Sequence, residues 1–383
     1  MFEQRREKLS ETDEYDAIMI DSPENLYYYT GFTGGEAMLI MFSQKILKNR
    51  GIDDNVAFII TDSRYYEQVE KECHDICLIR LDDCTYVDAV KLLLTGKLEE
   101  IDKVYDKLSD VFSNNAHNYK IAIEDTMKLS RYLKLNESLG NCKLTIDSEL
   151  INAPRMVKEE GEIALLKRAE QIGDEAFAHI LTVLKPGITE AEIALELEFF
   201  MKKQGAAKLS FDTIVASGSN SSMPHAQVTG RVIENGDFVT MDFGCVYKGY
   251  CSDMTRTVAV GKPTDEMKKV YQIVLDANLR AMDGIKAGVK CSDIDELARG
   301  YIREKGYGKC FGHGLGHGVG LYIHEEPRFS PKCDVITREN MVITDEPGIY
   351  LPGRFGVRIE DLVVVKKNGC ERLSNSIKEL VIL

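Results

Sequence analysis

The sequence predicts an α/β N-terminal domain over residues 1–152, followed by an α+β domain over residues 153–383. The second domain is expected to hold an antiparallel sheet and two pseudo-related halves. Three observations predict this. Up to about residue 150, short β-rich runs alternate with helical patterns, as in layered α/β domains. The pattern changes at "INAPRMVKEEGE", where Pro154 precedes a charged stretch and a long amphipathic helix. Beyond it, one set of helix-entry signals occurs twice, and each copy is followed by a strand that runs into an acid.

In the first domain, "YDAIMI", "NVAFIITD", "ICLIRL" and "KIAIED" read as strands. "RYYEQVEKE" and "YVDAVKLLL" read as helices between them. There is no glycine-rich phosphate loop here and no cluster of His or Cys. In the second domain, Ile163, Leu166, Ile172, Ala176, Phe177, Ile180 and Leu181 recur every three or four residues, the spacing of one helix face. Pro186 and Gly187 are expected to stop that helix. The repeated stretches are "LKPGITEAEIALELEFFMKKQG" (184–205) and "IKAGVKCSDIDELARGYIREKG" (285–306). Their capping signals, Thr189 with Glu192 and Ser292 with Asp295, fall two residues out of step. The stretches 237–260 and 341–365 are strand-rich, the first with a turn near Lys248 and Gly249.

The 383 residues carry 48 Lys+Arg against 62 Asp+Glu, a net charge of −14. That sign argues against a nucleic-acid backbone footprint and against adhesion to anionic membranes. No stretch approaches the roughly 20 apolar residues of a membrane span, and the first twenty residues lack an export signal. The ten cysteines form no CxxC pair and read as reduced thiols. A cytoplasmic protein is expected.

The chemistry points to the second domain. Asp242 and Asp253 lie on the two arms of one hairpin, Glu346 sits in "TDEPG" and Glu360 in "VRIED". An acid among β-branched residues ordinarily faces solvent. Four acids converging indoors would repel one another strongly unless cations neutralised them. Carboxylate oxygens with an imidazole suit divalent manganese, cobalt or zinc. "FGHGLGHGVG" places His313 and His317 four apart, yet its glycines argue against a helix.

The order "DFG…YCSDMTRT…FGHGLGHGVG…IHEEP…DEPGIY…VRIED" resembles the dimetal peptidases of the pita-bread fold over roughly residues 155 to 380. That family includes methionine aminopeptidase, the Xaa-Pro aminopeptidases and prolidase. "PENLYYYTGFTGG" and "TDSRYYEQ" resemble its creatinase-like N-terminal extension, which favours the proline-specific branch.

The resemblance implies two divalent metal ions, manganese first, held by Asp242, Asp253, His317, Glu346 and Glu360. Such a pair polarises the scissile carbonyl and activates water. Glu346 would also be general base and proton shuttle. His313 and His225 would face the residue after the cut, and His324 would donate to the developing oxyanion. The glycines would let extended chain pass close to metal and peptide. Arg358, two residues before Glu360, would share its face on a strand and orient it or meet a substrate carboxylate. His74, His117 and His179 fall outside the motifs and read as structural, and Arg256 as a supporting residue. Asp345 departs from the family pattern, because many relatives place an apolar residue before the ligand Glu. Pairing of the two ligand-bearing strands would set it opposite Asp361, an unfavourable match unless a basic group intervenes.

The expected activity is cleavage before proline in short peptides with proline second, by a homodimer. The reading leans to an Xaa-Pro aminopeptidase, with a prolidase (an X-Pro dipeptidase) as the alternative. A metal-free creatine hydrolase and a non-catalytic binding module share the fold, but such forms lose ligands that this chain keeps.

Overall fold

The computed structural model describes residues 1–49, 56–82, 84–95 and 118–383. His117 lies outside the described residues. Two compact units divide the chain, Met1–Pro154 and Arg155–Leu383.

The first unit is built on six strands: β1 (Ala17–Ile20), β2 (Met38–Phe42), β3 (Ala57–Thr61), β4 (Cys77–Arg80), β5 (Lys120–Ile123) and β6 (Lys143–Ile146). They form one sheet in the order β4-β3-β2-β1-β5-β6. β1–β2 and β2–β3 are antiparallel, and the outer pairings are parallel. The expected strands and helices are present, and β2 and β6 join them. All five residues of β2 are buried, so it lacks the alternation that marks a half-exposed strand. "PENLYYYT" forms a helix, Pro23–Thr30, entered through Ser22 with proline in its first turn and left through Gly31 at φ 81°.

The helix Ser148–Met156 runs through Pro154 instead of stopping before it. Pro154 lies in the last turn, so its missing N–H forfeits the one ladder bond that would run back to Leu150 O and leaves the earlier turn intact. The long helix spans Glu160–Ile180 and ends well before Pro186. Its terminator is local tightening: Thr182 N donates to His179 O at 2.9 Å and Val183 N to Ile180 O at 3.0 Å, three residues back instead of four.

The two halves of the second unit share their construction more closely than their sequences suggest. Helix Glu190–Lys203 starts from Thr189, whose Oγ1 accepts from Glu192 N at 3.2 Å. Helix Cys291–Glu304 starts from Lys290, not Ser292. Thr189 and Lys290 occupy the same place in their repeats, so the expected offset disappears. Asp295 is drawn inward instead, accepting from Leu315 N at 3.0 Å and pairing with Arg299 at 2.6 Å. Gly187 and Gly288 (φ 93° and 87°) enter the two helices, and Gly205 and Gly306 (φ 103° and 90°) leave them. These left-handed positions favour glycine.

The second unit's strands are β7 (Lys208–Leu209), β8 (Ile214–Ser217), β9 (Phe238–Phe243), β10 (Cys245–Tyr247), β11 (Tyr250–Cys251), β12 (Met254–Ala259), β13 (Gly316–Gly318), β14 (Glu325–Phe329), β15 (Val342–Asp345), β16 (Gly348–Leu351), β17 (Phe355–Arg358), β18 (Asp361–Lys366) and β19 (Gly369–Arg372). The first half pairs β12-β9-β8, and the second pairs β14-β13-β15-β18-β19. Among the described residues, the strands of this unit pair antiparallel throughout. Each half has its own apolar core, against its own helices. Among the described residues, no helix is long and apolar enough to cross a membrane.

Candidate metal centre

The hairpin that carries Asp242 and Asp253 is interrupted. β9 and β12 pair from Phe243↔Met254 onward, while β10 and β11 leave them to form a separate sheet with β7. The excursion turns at Lys248 and Gly249, with φ 47° and 89°. It closes at Gly244, where a Cβ would lie 2.0 Å from Ser252 O. Asp253 therefore emerges at the base of the hairpin, next to Asp242.

The glycines around His317 serve the strands beside it. A Cβ on Gly316 would lie 1.9 Å from Thr344 O, and one on Gly318 2.4 Å from Glu326 O. The close approach they permit is to neighbouring backbone on both sides. His317 N donates to Thr344 Oγ1 at 3.0 Å, and Glu346 N donates to Leu315 O at 2.8 Å. Those bonds bring His317 Nε2 within 3.5 Å of both Asp253 Oδ2 and Glu346 Oε1.

Arg358 and Glu360 do not share one strand, as their spacing suggested. β17 ends at Arg358 and β18 begins at Asp361, with Ile359 and Glu360 crossing from one sheet to the other. Arg358 Nη2 instead holds Asp242 Oδ2 at 2.6 Å, and Nη1 reaches Tyr350 Oη at 2.9 Å and Pro224 O at 3.2 Å. Arg358 is buried, and its Nε also donates to Thr255 Oγ1 at 2.9 Å, so the carboxylate it meets is Asp242 and not Glu360. Glu360 accepts from Thr255 Oγ1 at 2.6 Å, and its carbonyl oxygen accepts from Arg256.

All nine residues singled out in the sequence line one cavity of about 430 Å³. One ligand atom each from Asp253, His317 and Glu360 lie mutually within 4.8 Å. His313 is held by Tyr350 Oη at 2.9 Å and lies 3.9 Å from Glu346. The His324 ring meets His317 edge to face at 4.6 Å. His225 reaches the cavity from the loop that follows β8. His179 pairs with Glu196 at 2.6 Å, and the exposed His74 is in the first unit; neither lines this cavity.

Electrostatics supply the test of whether this donor set fits a metal. Burial, then the charges of Glu360, Asp242 and Glu346, push Asp253 well above the carboxylate range. Burial and the Glu346 and Asp242 charges do the same to Glu360. Burial raises Glu346 to about 8. It also lowers His317 to about 3, and the bond between Nδ1 and Gly318 O leaves Nε2 with its lone pair toward the acids. Asp242 Oδ1 is buried without a partner. Repelling acids, a neutral imidazole and an orphan oxygen together match a site for divalent cations.

A pH dependence follows. Raised folded-state values mean that, above the unfolded carboxyl range near 4, the folded chain holds more protons than the unfolded one. Stability of metal-stripped protein therefore falls as pH rises through the folded values, up to about 8 for Glu346. Thermal melting should give a lower Tm at pH 8 than at pH 5.5 for stripped protein, with a larger rise on adding manganese at pH 8. A Tm independent of pH would overturn this account.

The Asp345 problem is resolved by distant residues. Asp345 does lie opposite Asp361, both fully buried. Arg256 Nη2 and Lys378 Nζ each reach Asp361 at 2.8 Å. Burial alone would raise Asp361, but these two cations hold it down at about 2. Burial and the Asp361 charge push Asp345 the other way, well above its usual value.

The sequence reading missed Arg328. It lies opposite His317 in the β13–β14 pairing and lines the cavity. Its nearest acid is Glu326, at 3.6 Å. The missed signal is the two-residue alternation of Glu326 and Arg328 in "HEEPR"; His324 reaches the cavity from just outside β14.

Comparisons with known proteins agree with this geometry. The model of metallopeptidase family M24 matches residues 164–367, and that of the creatinase/prolidase N-terminal domain matches residues 3–157. The Xaa-Pro dipeptidase of Pyrococcus furiosus is 34% identical over 98% of this chain and 97% of its own. The solved Xaa-Pro dipeptidase from Bacillus anthracis superposes with a TM-score of 0.88 at 40% identity, covering 100% of both chains. The X-Pro aminopeptidase from Thermotoga maritima gives 0.83 at 37% identity, covering 99% of this chain and 100% of that one. The chain belongs to metallopeptidase family M24, with a creatinase/prolidase-type domain ahead of its pita-bread domain.

Proposed function

We propose that this protein is an Xaa-Pro dipeptidase that hydrolyses the imide bond before a C-terminal proline. The sequence leaned to the aminopeptidase. The dipeptidase is preferred because that name recurs among the full-length relatives and solved neighbours. The observation that carries the reading on this chain is Arg328, a partly buried cation at the cavity wall whose nearest acid, Glu326, lies 3.6 Å away. In an X-Pro dipeptide the carboxylate follows the proline directly, and a guanidinium at the cavity wall suits it.

Divalent ions held by Asp242, Asp253, His317, Glu346 and Glu360 would supply Lewis-acid polarisation of the scissile carbonyl and of water. Glu346 takes the proton released by the attacking water and delivers it to the proline nitrogen, which leaves as a secondary amine. His324 donates a ring N–H to the carbonyl oxygen as negative charge develops there. Burial lowers His324, so a neutral ring does this near pH 7. His225 and His313 flank the proline ring. The bond before proline has no N–H, so the site needs no acceptor for one. Manganese is the proposed metal, because four carboxylates against one imidazole make an oxygen-rich set. The reading also keeps a homodimer, for which exposed Leu195 and Phe199 offer an apolar face, and a cytoplasmic location, where the ten cysteines would stay reduced.

A peptide panel tests this: X-Pro, X-Pro-Y, X-Ala and Met-Ala, with wild type and Arg328→Met. X-Pro should be cut fastest, and Arg328→Met should lower its kcat/KM by about 10²-fold, chiefly through KM, with metal content unchanged. The Thermotoga maritima neighbour supports the aminopeptidase as the second reading. Faster release of the first residue from X-Pro-Y, insensitive to Arg328, would select it. Equal cleavage of X-Ala would defeat proline specificity in either form.

A further inference from the structure

Glu190, the first residue of the helix Glu190–Lys203, is fully buried and sits at the centre of a cluster of donors. Its Oε1 accepts from Ser217 N and Ser217 Oγ, both at 2.7 Å, and from Asn220 Nδ2 at 3.1 Å. Its Oε2 accepts from Thr229 Oγ1 at 2.5 Å and Thr229 N at 3.2 Å. Ser217 and Thr229 are the two ends of the loop that carries His225 into the cavity, and Asn220 lies within it.

The fold does not need an acid here, because the second half builds the same crossing without one. In the first half, Gly187 N donates to Ile233 O at 2.9 Å, Glu190 N to Arg231 O at 3.1 Å and Ala191 N to Thr229 O at 3.2 Å. In the second, Gly288 N donates to Thr337 O at 2.8 Å, Cys291 N to Val335 O at 2.9 Å and Ser292 N to Cys333 O at 3.1 Å. Glu190 thus corresponds to the buried Cys291, and Thr229 to Cys333. Two thiols fill the place where the first half sets a carboxylate with five donor groups. What distinguishes the first half is the loop between β8 and the crossing. Elsewhere among the described residues the loop is held at Ser217, whose Oγ accepts from Arg231 Nη1 at 2.6 Å, and near its middle, where Arg358 Nη1 donates to Pro224 O, Gly356 N to Ser221 Oγ at 2.9 Å and Gly353 N to Ser222 Oγ at 3.3 Å.

We infer that Glu190 is a positioning residue: by clamping both ends of the 217–229 loop, it sets His225 against the proline side of the substrate. The inference rests on the dipeptidase reading for the role of His225, but not for the clamp itself.

The test uses full-length, metal-loaded protein and Glu190→Gln, which keeps the size but turns one acceptor into a donor. Hydrogen exchange should quicken in residues 218–229 while the strands bearing the metal ligands stay protected. With an X-Pro dipeptide, KM should rise about tenfold with kcat changed less than about threefold and metal content unchanged. In a His225→Ala background the same substitution should change KM less than about twofold, because the two act as one unit. An equal rise in both backgrounds, or unchanged loop exchange, overturns the proposal. If Glu190→Gln fails to fold, Glu190→Cys with Thr229→Cys grafts in the pair that the second half already tolerates. The same KM rise then supports the clamp, and a wild-type KM overturns it. Wild-type protein that cleaves no X-Pro peptide would defeat the dipeptidase reading alone, since loop exchange still reports on the clamp.

Discussion

Glu360→Gln will strip the protein of at least one metal ion and lower kcat/KM by at least about 10³-fold, beyond the 10–100-fold typical of losing an outer-shell partner. Glu360 is 1% exposed, and its side chain accepts from Thr255 Oγ1. The amide keeps the shape but removes the charge, so the cluster with Asp253 and His317 loses its attraction for a second cation. The same change acts in the opposite direction on stripped protein. Because Glu360 repels Glu346 and Asp242 when no cation intervenes, Glu360→Gln should raise the Tm of metal-stripped protein at pH 8. Mass-spectrometric metal analysis with melting curves reads both effects. Full occupancy in the variant would remove Glu360 from the ligand set.

His324→Ala should lower kcat by about 10²–10³-fold, the usual cost of one oxyanion donor, and leave metal content intact. His324 meets the His317 ring edge to face but lies outside the Asp253, His317 and Glu360 cluster that could hold a metal. Loss of ligand and loss of donor are therefore separable in one preparation. Unchanged kcat at full metal loading would refute the role. Lost metal would show that His324 is itself a ligand.

Much of the site was legible because its motifs are local. A strand that ends in an acid beside a Gly or Pro can be read without knowing its neighbours, and Asp242 and Glu346 were found that way. His317 stood out because glycine on both sides is costly unless something must come close. That the close objects are Thr344 O and Glu326 O could not be read, since those contacts join segments far apart in the chain.

Partners across the fold were the illegible part. Two-residue spacing suggested that Arg358 orients Glu360. The crossing at Ile359–Glu360 breaks that strand and gives Arg358 to Asp242. Asp345 opposite Asp361 looked like an error of register. The register is as expected, and Lys378 and Arg256 balance it from other segments. By itself, the sequence determined the order of elements, the two-domain class, the repeated helix entries and the identity of the acids and imidazoles that meet in the second domain. Periodicity, capping and residue chemistry act over a few positions and survive being read in one dimension. The tertiary structure decided which charge answers which: Arg358 to Asp242, Lys378 to Asp361, Glu190 to the His225 loop, and Arg328 left facing the cavity. A buried charge is stable only beside a counter-charge or among donors that hydrogen-bond it, and long-range strand pairing and packing choose those partners.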